Sequence, residues 1–156
     1  MSLAVNASYF SGSYMLVSHL QIDLEGITIS NFDPMNMTRD PTIELLFSFS
    51  APQTGSGEAT LSSMHAVVYL NDDHLSYPTF RRIFVGTERI VQSGYQRNFT
   101  LGSVVKEDPD KQTLINAAAS DNWTFAVQLY LLYHILGSRS ETVRILAFTY
   151  EGYTGD

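Results

Sequence analysis

Apolar and polar residues alternate along most of this chain with a period of two. This period places successive side chains on opposite faces of a strand, so it predicts strands that are buried on one face only. The first stripe starts at Leu20 and is interrupted at Glu25-Gly26, and the longest runs from Trp123 to Tyr133. The predicted strands span residues 20–30, 43–49, 65–70, 89–91, 95–101, 123–133 and 142–150.

Turn-forming residues separate these strands. Residues 31–41 hold two prolines, and residues 51–57 combine one proline with two glycines. Thr113–Ser120, with three alanines, predicts one short helix, and Lys106–Gln112 before it is predicted to be a charged connector. We therefore predict an all-β fold: an antiparallel Ig-like or fibronectin-like β-sandwich of about seven strands with one short helix.

The chain of 156 residues has the length of one domain. We expect an N-terminal arm over residues 1–15, a single sandwich domain over 16–151 and a polar tail over 152–156 that frays. The longest apolar-rich run, 125–136, contains Gln128 and His134 and falls short of the roughly twenty residues that a membrane helix needs. The start of the chain does not resemble a signal peptide. The expectation is no membrane span in this chain, with an N-terminal anchor or signal removed if the protein is exported.

Composition excludes several functional classes. The formal net charge is -7, with only nine basic residues, which argues against a nucleic-acid partner because a phosphate-binding face needs clustered lysines and arginines. The one adjacent basic pair, Arg81-Arg82, is expected to be solvated. There is no cysteine, so disulfides, thiolate metal sites and cysteine nucleophiles are all excluded.

No pattern of catalytic or metal-binding residues stands out. The closest to a metal cluster is His74 beside Asp72-Asp73, but these residues are typical of a turn. The acidic stretch Glu107–Asp110 is interpreted as solvated, and no Gly-x-Ser-x-Gly or phosphate-binding loop is present. We predict no catalytic residues, no cofactor, no metal site and no enzyme activity. A pocket that gathers His65 or His74 with carboxylates would argue for an enzyme.

Four of the seven asparagines lie in Asn-x-Ser/Thr triplets, the acceptor motif for N-glycosylation, where chance alone gives roughly one or two. Alternation places Asn98 and Thr100 opposite the apolar Phe99 and Leu101, so both should face solvent. The same argument turns Asn122 outward. The alternative is that polar faces generate such triplets by accident. The predicted glycosylation sites are Asn6, Asn36, Asn98 and Asn122.

From Leu20 to Tyr150 the order of features resembles the late-embryogenesis-abundant group 2 domain, a family that includes membrane-anchored proteins. The resemblance rests on the opening strand from Ile22 to Ile27, the second strand ending in Phe49-Ser50-Ala51-Pro52, the segment from Ala66 to Leu75 and Pro78-Thr-Phe80. It implies a β-sandwich without catalytic residues. It also implies either desiccation-linked protection or display outside the plasma membrane on a short anchor, and the acidic charge and the triplets favour display.

These observations support three hypotheses. The first is a non-enzymatic, extracytoplasmic β-sandwich module, located extracellularly or at the cell surface, that binds a protein or a surface in stress or defence. The second is a structural subunit of an extracellular assembly, which self-associates by strand exchange through the N-terminal arm. The third is a cytoplasmic stress-protective protein of the same family, which needs no glycan.

Overall fold

A computed structural model of the chain describes residues 16, 18–53, 57–135 and 140–155. The predicted N-terminal arm and its Asn6 triplet lie outside these residues. The described residues form two sheets, an α-helix and a short 3-10 helix, and Leu16 and Ser18 are also helical. The strands are β1 Gln21–Ser30, β2 Thr42–Ser50, β3 Ala59–Leu70, β4 Asp73–His74, β5 Phe80–Ile83, β6 Ile90–Val91, β7 Gln96–Val104, β8 Thr124–Ile135, β9 Thr142–Glu151 and β10 Thr154–Gly155; helix α1 spans Asp108–Ser120 and the 3-10 helix Gly86–Arg89.

The predicted all-β sandwich is confirmed. Sheet A has the strand order β10-β1-β2-β7, and sheet B has the order β4-β3-β8-β9, with β5 and β6 also paired to β3. All pairings are antiparallel except β1 with β10. The seven predicted strands correspond to seven of the ten observed, but the boundary of the third is wrong: β3 begins at Ala59 and not at residue 65, because a bulge between Leu61 and Ser63 interrupts its alternation. The other three, β4, β5 and β10, have two to four residues each and are too short for an alternating pattern to reveal.

The inner faces of the two sheets meet in a single core. The alternating apolar residues of β2, from Ile43 to Phe49, are buried in the same hydrophobic core as those of β3 and β8. Aromatic rings tie the sheets together: Phe47 of sheet A packs edge-on against Phe148 of sheet B, with ring centroids 5.7 Å apart. Glu25-Gly26, which interrupts the first stripe, is a β-bulge that shifts the β1–β2 register between Leu24 and Gly26.

Helix α1 begins earlier than predicted. It starts at Asp108 and not at Thr113, so the expected connector over 106–112 is wrong for most of its length. The physical reason lies in Pro109 at the start of the first turn and in the acidic side chains Asp108 and Asp110 beside it. Each of these residues favours a helix N-terminus.

Two residues of this turn, Asp110 and Lys111, are buried, so the solvated interpretation of the acidic stretch is wrong at Asp110. The Asp110 carboxylate accepts hydrogen bonds from the backbone N–H groups of Ser76, at 3.1 Å, and Tyr77, at 3.3 Å. Lys111 Nζ donates to the carbonyl of Met37 at 2.8 Å and to Asp40 at 2.7 Å. The two side chains therefore attach the helix to two separate loops at one end of the sandwich.

The C-terminal residues are paired and not frayed over Thr154–Gly155. Strand β10 runs parallel to β1, with Thr154 opposite Thr28. Tyr153, just before it, packs against Trp123 with ring centroids 4.4 Å apart. Within the described residues, no helix has the length and apolar character that crossing a membrane requires.

Candidate interaction surface

The histidines considered as candidates for chemistry are not gathered into a site. His65 stacks on Tyr130, and His74 stacks on Tyr69, with ring centroids 4.7 and 4.9 Å apart. His134 Nε2 lies 3.2 Å from Glu141. Asn71 and Asp72 have positive φ, as expected for the predicted turn. Among the described residues, no three His, Cys, Asp or Glu side chains are grouped so that they could hold a metal ion.

Two depressions in the surface are places where catalytic groups could gather. One of about 410 Å³ is shallow and is lined by Ser48, Phe49, Ser50, Gln96, Arg97 and Asn98. The other has room for about one water, at roughly 10 Å³, and lies between the loop after β1 and helix α1. Neither contains a histidine. The enzyme alternative therefore gains no support from these depressions.

The glycosylation triplets within the described residues lie on the surface. Asn98 and Asn122 are exposed, which agrees with the orientation predicted from alternation. Asn36 is half-buried, and its Oδ1 accepts hydrogen bonds from the backbone N–H and the hydroxyl of Thr38. The Thr124 hydroxyl donates likewise to Asn122 Oδ1, at 3.0 Å. Glycosylation of these asparagines stays a prediction.

The outer surface of sheet A, here called face A, is polar. Asn98 lies on it, opposite Ser48 of β2. The Ser48 hydroxyl donates to the bulged Glu25 at 2.7 Å. Leu46 and Val104 are the large aliphatic residues on this face, 38% and 41% exposed, and they lie apart at different positions along the sheet. The side chains of face A are Gln21, Asp23, Glu25, Thr28, Ser30, Thr42, Glu44, Leu46, Ser48, Ser50, Gln96, Asn98, Thr100 and Val104.

The outer surface of sheet B, here called face B, is largely apolar and aromatic. Ile83, Val143 and Ile145 are 63%, 51% and 61% exposed. Cross-strand neighbours form continuous rows over several strands, because residues opposite one another in a sheet share a face. One row runs from Arg81 through His65 and Tyr130 to Ile145, and the next runs from Ile83 through Ser63 and Leu132 to Val143. Further members are Thr60, Val67, Tyr69, Thr124, Ala126, Gln128, His134, Ala147, Thr149 and Glu151.

The two faces also differ in charge. Among the residues that the structure describes, face A carries three carboxylates, Asp23, Glu25 and Glu44, and no cation. Face B carries one arginine, Arg81, and one glutamate, Glu151, at opposite corners. A further carboxylate at the rim of face B, Glu141, is paired with His134. Face B is therefore close to neutral on a protein whose formal net charge is -7.

Arg82 does not belong to face B, although its neighbour Arg81 does. Successive residues of β5 point to opposite sides, so the prediction of a solvated Arg81-Arg82 pair is wrong for Arg82. Its guanidinium lies over the Phe99 ring, 5.0 Å from the centroid, and its Nη2 donates to Glu88 at 2.8 Å. We call the contacts of Arg82 with Phe99 and Glu88 the Arg82 brace; it joins β5 of sheet B to β7 of sheet A.

The same brace shifts two pKa values. Burial tends to raise the pKa of Glu88, but the hydrogen bond from the Val85 N–H and the hydrogen bond and charge of Arg82 outweigh it, so the pKa is lowered. Burial raises the pKa of Tyr95 to about 12, against the opposing charge of Arg97. The Tyr95 hydroxyl donates to the Glu88 carbonyl at 2.6 Å. Glu88 and Tyr95 owe their shifted pKa values to burial and to contacts that hold the fold together, so the shifts do not indicate a catalytic site.

Comparisons with known proteins show similarity of fold and nothing further. No protein-family model matches the chain, and no curated protein matches its sequence. A crystal structure of a protein from Archaeoglobus fulgidus has a TM-score of 0.54 at 10% identity, over 86% of this chain and 97% of that one. The solution structure of AT1g01470 from Arabidopsis thaliana has a TM-score of 0.53 at 10% identity, over 86% and 82%. The X-ray structure of Northeast Structural Genomics Consortium target SoR45 has a TM-score of 0.51 at 9% identity, over 86% of both chains. At these identities the likeness is one of fold alone: this chain shares its β-sandwich with proteins from an archaeon and a plant.

Proposed function

We propose that this chain is a non-enzymatic, extracytoplasmic β-sandwich module that binds a protein or a cell surface through face B. The observation that carries the proposal is the contrast between the two outer faces. A sheet face that serves only to meet water is expected to be polar, as face A is. Face B instead exposes aliphatic and aromatic side chains in contiguous rows, which is typical of an interaction surface.

The positions of the glycosylation triplets support the same assignment of faces. Asn98 lies on face A, and Asn36 and Asn122 lie in connections between strands. No triplet falls on face B within the described residues. A glycan is bulky and hydrated, so this distribution leaves face B open for a partner while glycans occupy the other surfaces.

The resemblance to the late-embryogenesis-abundant group 2 domain supports display outside a plasma membrane, in stress or defence. Membership of that family is part of the proposal, because it rests on the sequence features described above. The predicted role in the cytoplasm is the alternative, and it requires neither glycans nor a partner for face B.

The first test addresses the compartment. The protein is produced in a eukaryotic secretory host, and its intact mass is measured before and after enzymatic deglycosylation. We expect a mass excess that disappears on deglycosylation and is reduced by Asn98→Gln. An unmodified mass would count against the extracytoplasmic assignment.

The second test addresses the binding face with a glycan used as a steric block. Ala147 is exposed on face B, midway along β9 and beside Gln128 of β8, and is followed by Phe148 and Thr149. Ala147→Asn therefore creates the same Asn-Phe-Thr triplet that Asn98 begins on face A. We expect the glycosylated variant to lose binding of the labelled protein to cells of the source organism, measured by flow cytometry.

Two controls separate the glycan from the substitution. The same variant made in bacteria carries no glycan and should bind as the wild type does. Asn98→Gln, which removes the glycan from face A, should also leave binding unchanged. Undiminished binding by the glycosylated Ala147→Asn protein would show that face B is not the binding surface.

A further inference from the structure

We propose that the partner of face B is a second copy of this chain, bound face to face about a two-fold axis in a weak homodimer. The inference rests on the proposed function, since it takes face B as the binding surface and names its partner. It is carried by the distribution of charge over the two faces and by the size of face B.

Repulsion between copies restricts which surfaces can meet. Two molecules that each carry a net charge of -7 repel one another, and juxtaposing two copies of face A would bring six carboxylates together, because each carries three. Face B has one cation, Arg81, and one anion, Glu151, with Glu141 already paired to His134. Two copies of face B can therefore approach without stacking like charges.

The two charges of face B are placed so that they complement themselves. Arg81 lies on β5 in the same row as Ile145 of β9, and Glu151 lies six residues further along β9. With a strand spacing of about 4.8 Å and a rise of about 3.4 Å per residue, the two side chains are roughly 25 Å apart, on a diagonal of the face. A two-fold axis that lies in the plane of the interface and crosses this diagonal at right angles through its midpoint places Arg81 of each copy opposite Glu151 of the other.

That axis runs across the middle of face B, close to Val67 and Gln128, and towards Ile145, so pairing the charges also brings Ile145 of one copy near Ile145 of the other. An isologous interface of this kind repeats each contact twice.

The size of the face sets the strength of the interaction. Four strands and the span from Val143 to Glu151 give about 19 Å by 27 Å, or roughly 500 Å² on each copy. Stable interfaces bury about 800 Å² on each partner, so this one belongs with weak, transient contacts. We expect a dissociation constant on the order of 0.1 mM, which display of many copies on a surface would strengthen by avidity.

Charge reversal tests the pairing. Arg81→Glu places two glutamate pairs in the homodimer, and Glu151→Arg places two arginine pairs, so each variant alone should self-associate about tenfold more weakly or worse. An equimolar mixture of the two restores opposite charges at both contacts. We expect the mixture to associate within about threefold of the wild type, as measured by sedimentation velocity over a concentration series.

A matched pair of variants tests the face itself. Ile145→Asp puts a charge into the proposed interface twice and should weaken self-association roughly a hundredfold. Leu46→Asp makes the same kind of change on face A and should leave it unaltered. Both side chains are exposed, so both variants are expected to fold, and circular dichroism checks this.

Two outcomes would overturn the inference. One is a wild-type protein that stays monomeric at millimolar concentration, and the other is a mixture of the charge-reversed variants that associates no better than either alone. These outcomes leave the proposed function testable, because loss of cell binding by glycosylated Ala147→Asn in a monomeric protein would mean that face B binds a different partner.

Discussion

Face A and face B are built in the same way and present opposite surfaces. Each is the outer side of a largely antiparallel sheet whose inner side is packed with aliphatic and aromatic residues. The inner positions of both sheets obey one requirement, which is to exclude water from a shared core. The outer positions have no such requirement, yet face A carries serine, asparagine and carboxylates, whereas face B carries isoleucine, valine and tyrosine.

This difference shows that folding constrains the inner residues of a half-buried strand, whereas its outer residues are free to vary with function. Exposed polar residues keep a sheet face hydrated, and exposed apolar residues invite association. Strand β9 makes the point, because its inner residues Leu146 and Phe148 pack on the core while its outer residues Val143 and Ile145 stay in water. The four predictions below test this comparison, from the largest expected effect to the smallest.

The first prediction contrasts the inner and outer side of one strand. Phe47 is fully buried and packs against Phe148 of the other sheet, whereas its neighbour Leu46 lies on face A. We expect Phe47→Ala to lower the free energy of unfolding by about 3–5 kcal/mol, because it opens a cavity between the sheets. Leu46→Ala should change it by less than about 0.5 kcal/mol. Urea denaturation measures both, and equal losses would contradict the assignment of inner and outer faces.

The second prediction contrasts a buried carboxylate with one on face A. Asp110→Ala leaves the backbone N–H groups of Ser76 and Tyr77 without their acceptor, so we expect a loss of about 1–3 kcal/mol in the free energy of unfolding. Asp23 is exposed on face A, and Asp23→Ala should cost less than about 0.5 kcal/mol. Thermal unfolding at matched pH and salt gives both values. A costly Asp23→Ala would mean that the carboxylates of face A stabilise the fold.

The third prediction concerns the brace between the two sheets at high pH. The pKa of Tyr95 is raised to about 12 by burial, so the folded state favours the neutral phenol. A folded-state pKa above the unfolded value of about 10 gives stability that is complete below pH 10 and is lost as the pH rises through 12. We expect unfolding free energy to fall across this window, as followed by circular dichroism in urea.

Tyr95→Phe removes the titrating group and should remove this component of the alkaline loss. It also deletes the hydrogen bond to the Glu88 carbonyl, so the variant should begin from a lower stability at neutral pH. An alkaline profile in Tyr95→Phe as steep as that of the wild type would exclude Tyr95 as the group responsible.

The fourth prediction concerns the aromatic pairing on face B. The His65 and Tyr130 rings are stacked and almost parallel, at an interplanar angle of 3°. Cross-strand pairs of this kind contribute a few tenths of a kcal/mol, so His65→Ala should lower the free energy of unfolding by about 0.5 kcal/mol. His65→Phe keeps the stack and should restore most of that loss. No difference between the two variants would mean that the rings of face B are merely adjacent.

The long elements were predictable because their signal is local. Alternation over nine to twelve residues located β1, β2, β7, β8 and β9, and it placed Asn98 and Asn122 on the outside. The interruption at Glu25-Gly26 became the bulge of β1. The start of α1 was missed, although Asp108 and Pro109 carry the signal of a helix N-terminus.

The candidate surface was not predictable from the same patterns. Ile83 comes from a four-residue strand, and Leu132 and Val143 come from two others, so their row exists only once β5, β3, β8 and β9 lie side by side. The same is true of two charged residues. Asp110 and Arg82 are predicted from the sequence to be solvated, but Asp110 binds the loop at Ser76 and Arg82 lies over the Phe99 ring, and both partners are distant in the chain.

The sequence by itself determined that this protein is an all-β sandwich, that it is acidic and without cysteine, and that two of its glycosylation triplets face solvent. These properties follow from composition and from the period-two geometry of a strand, which need no knowledge of neighbours. Only the tertiary structure decided that one outer face is polar and the other apolar, and where Arg81 and Glu151 lie on the latter. The reason is that a face is made by the order and register of several strands, and those depend on contacts between residues distant in the chain.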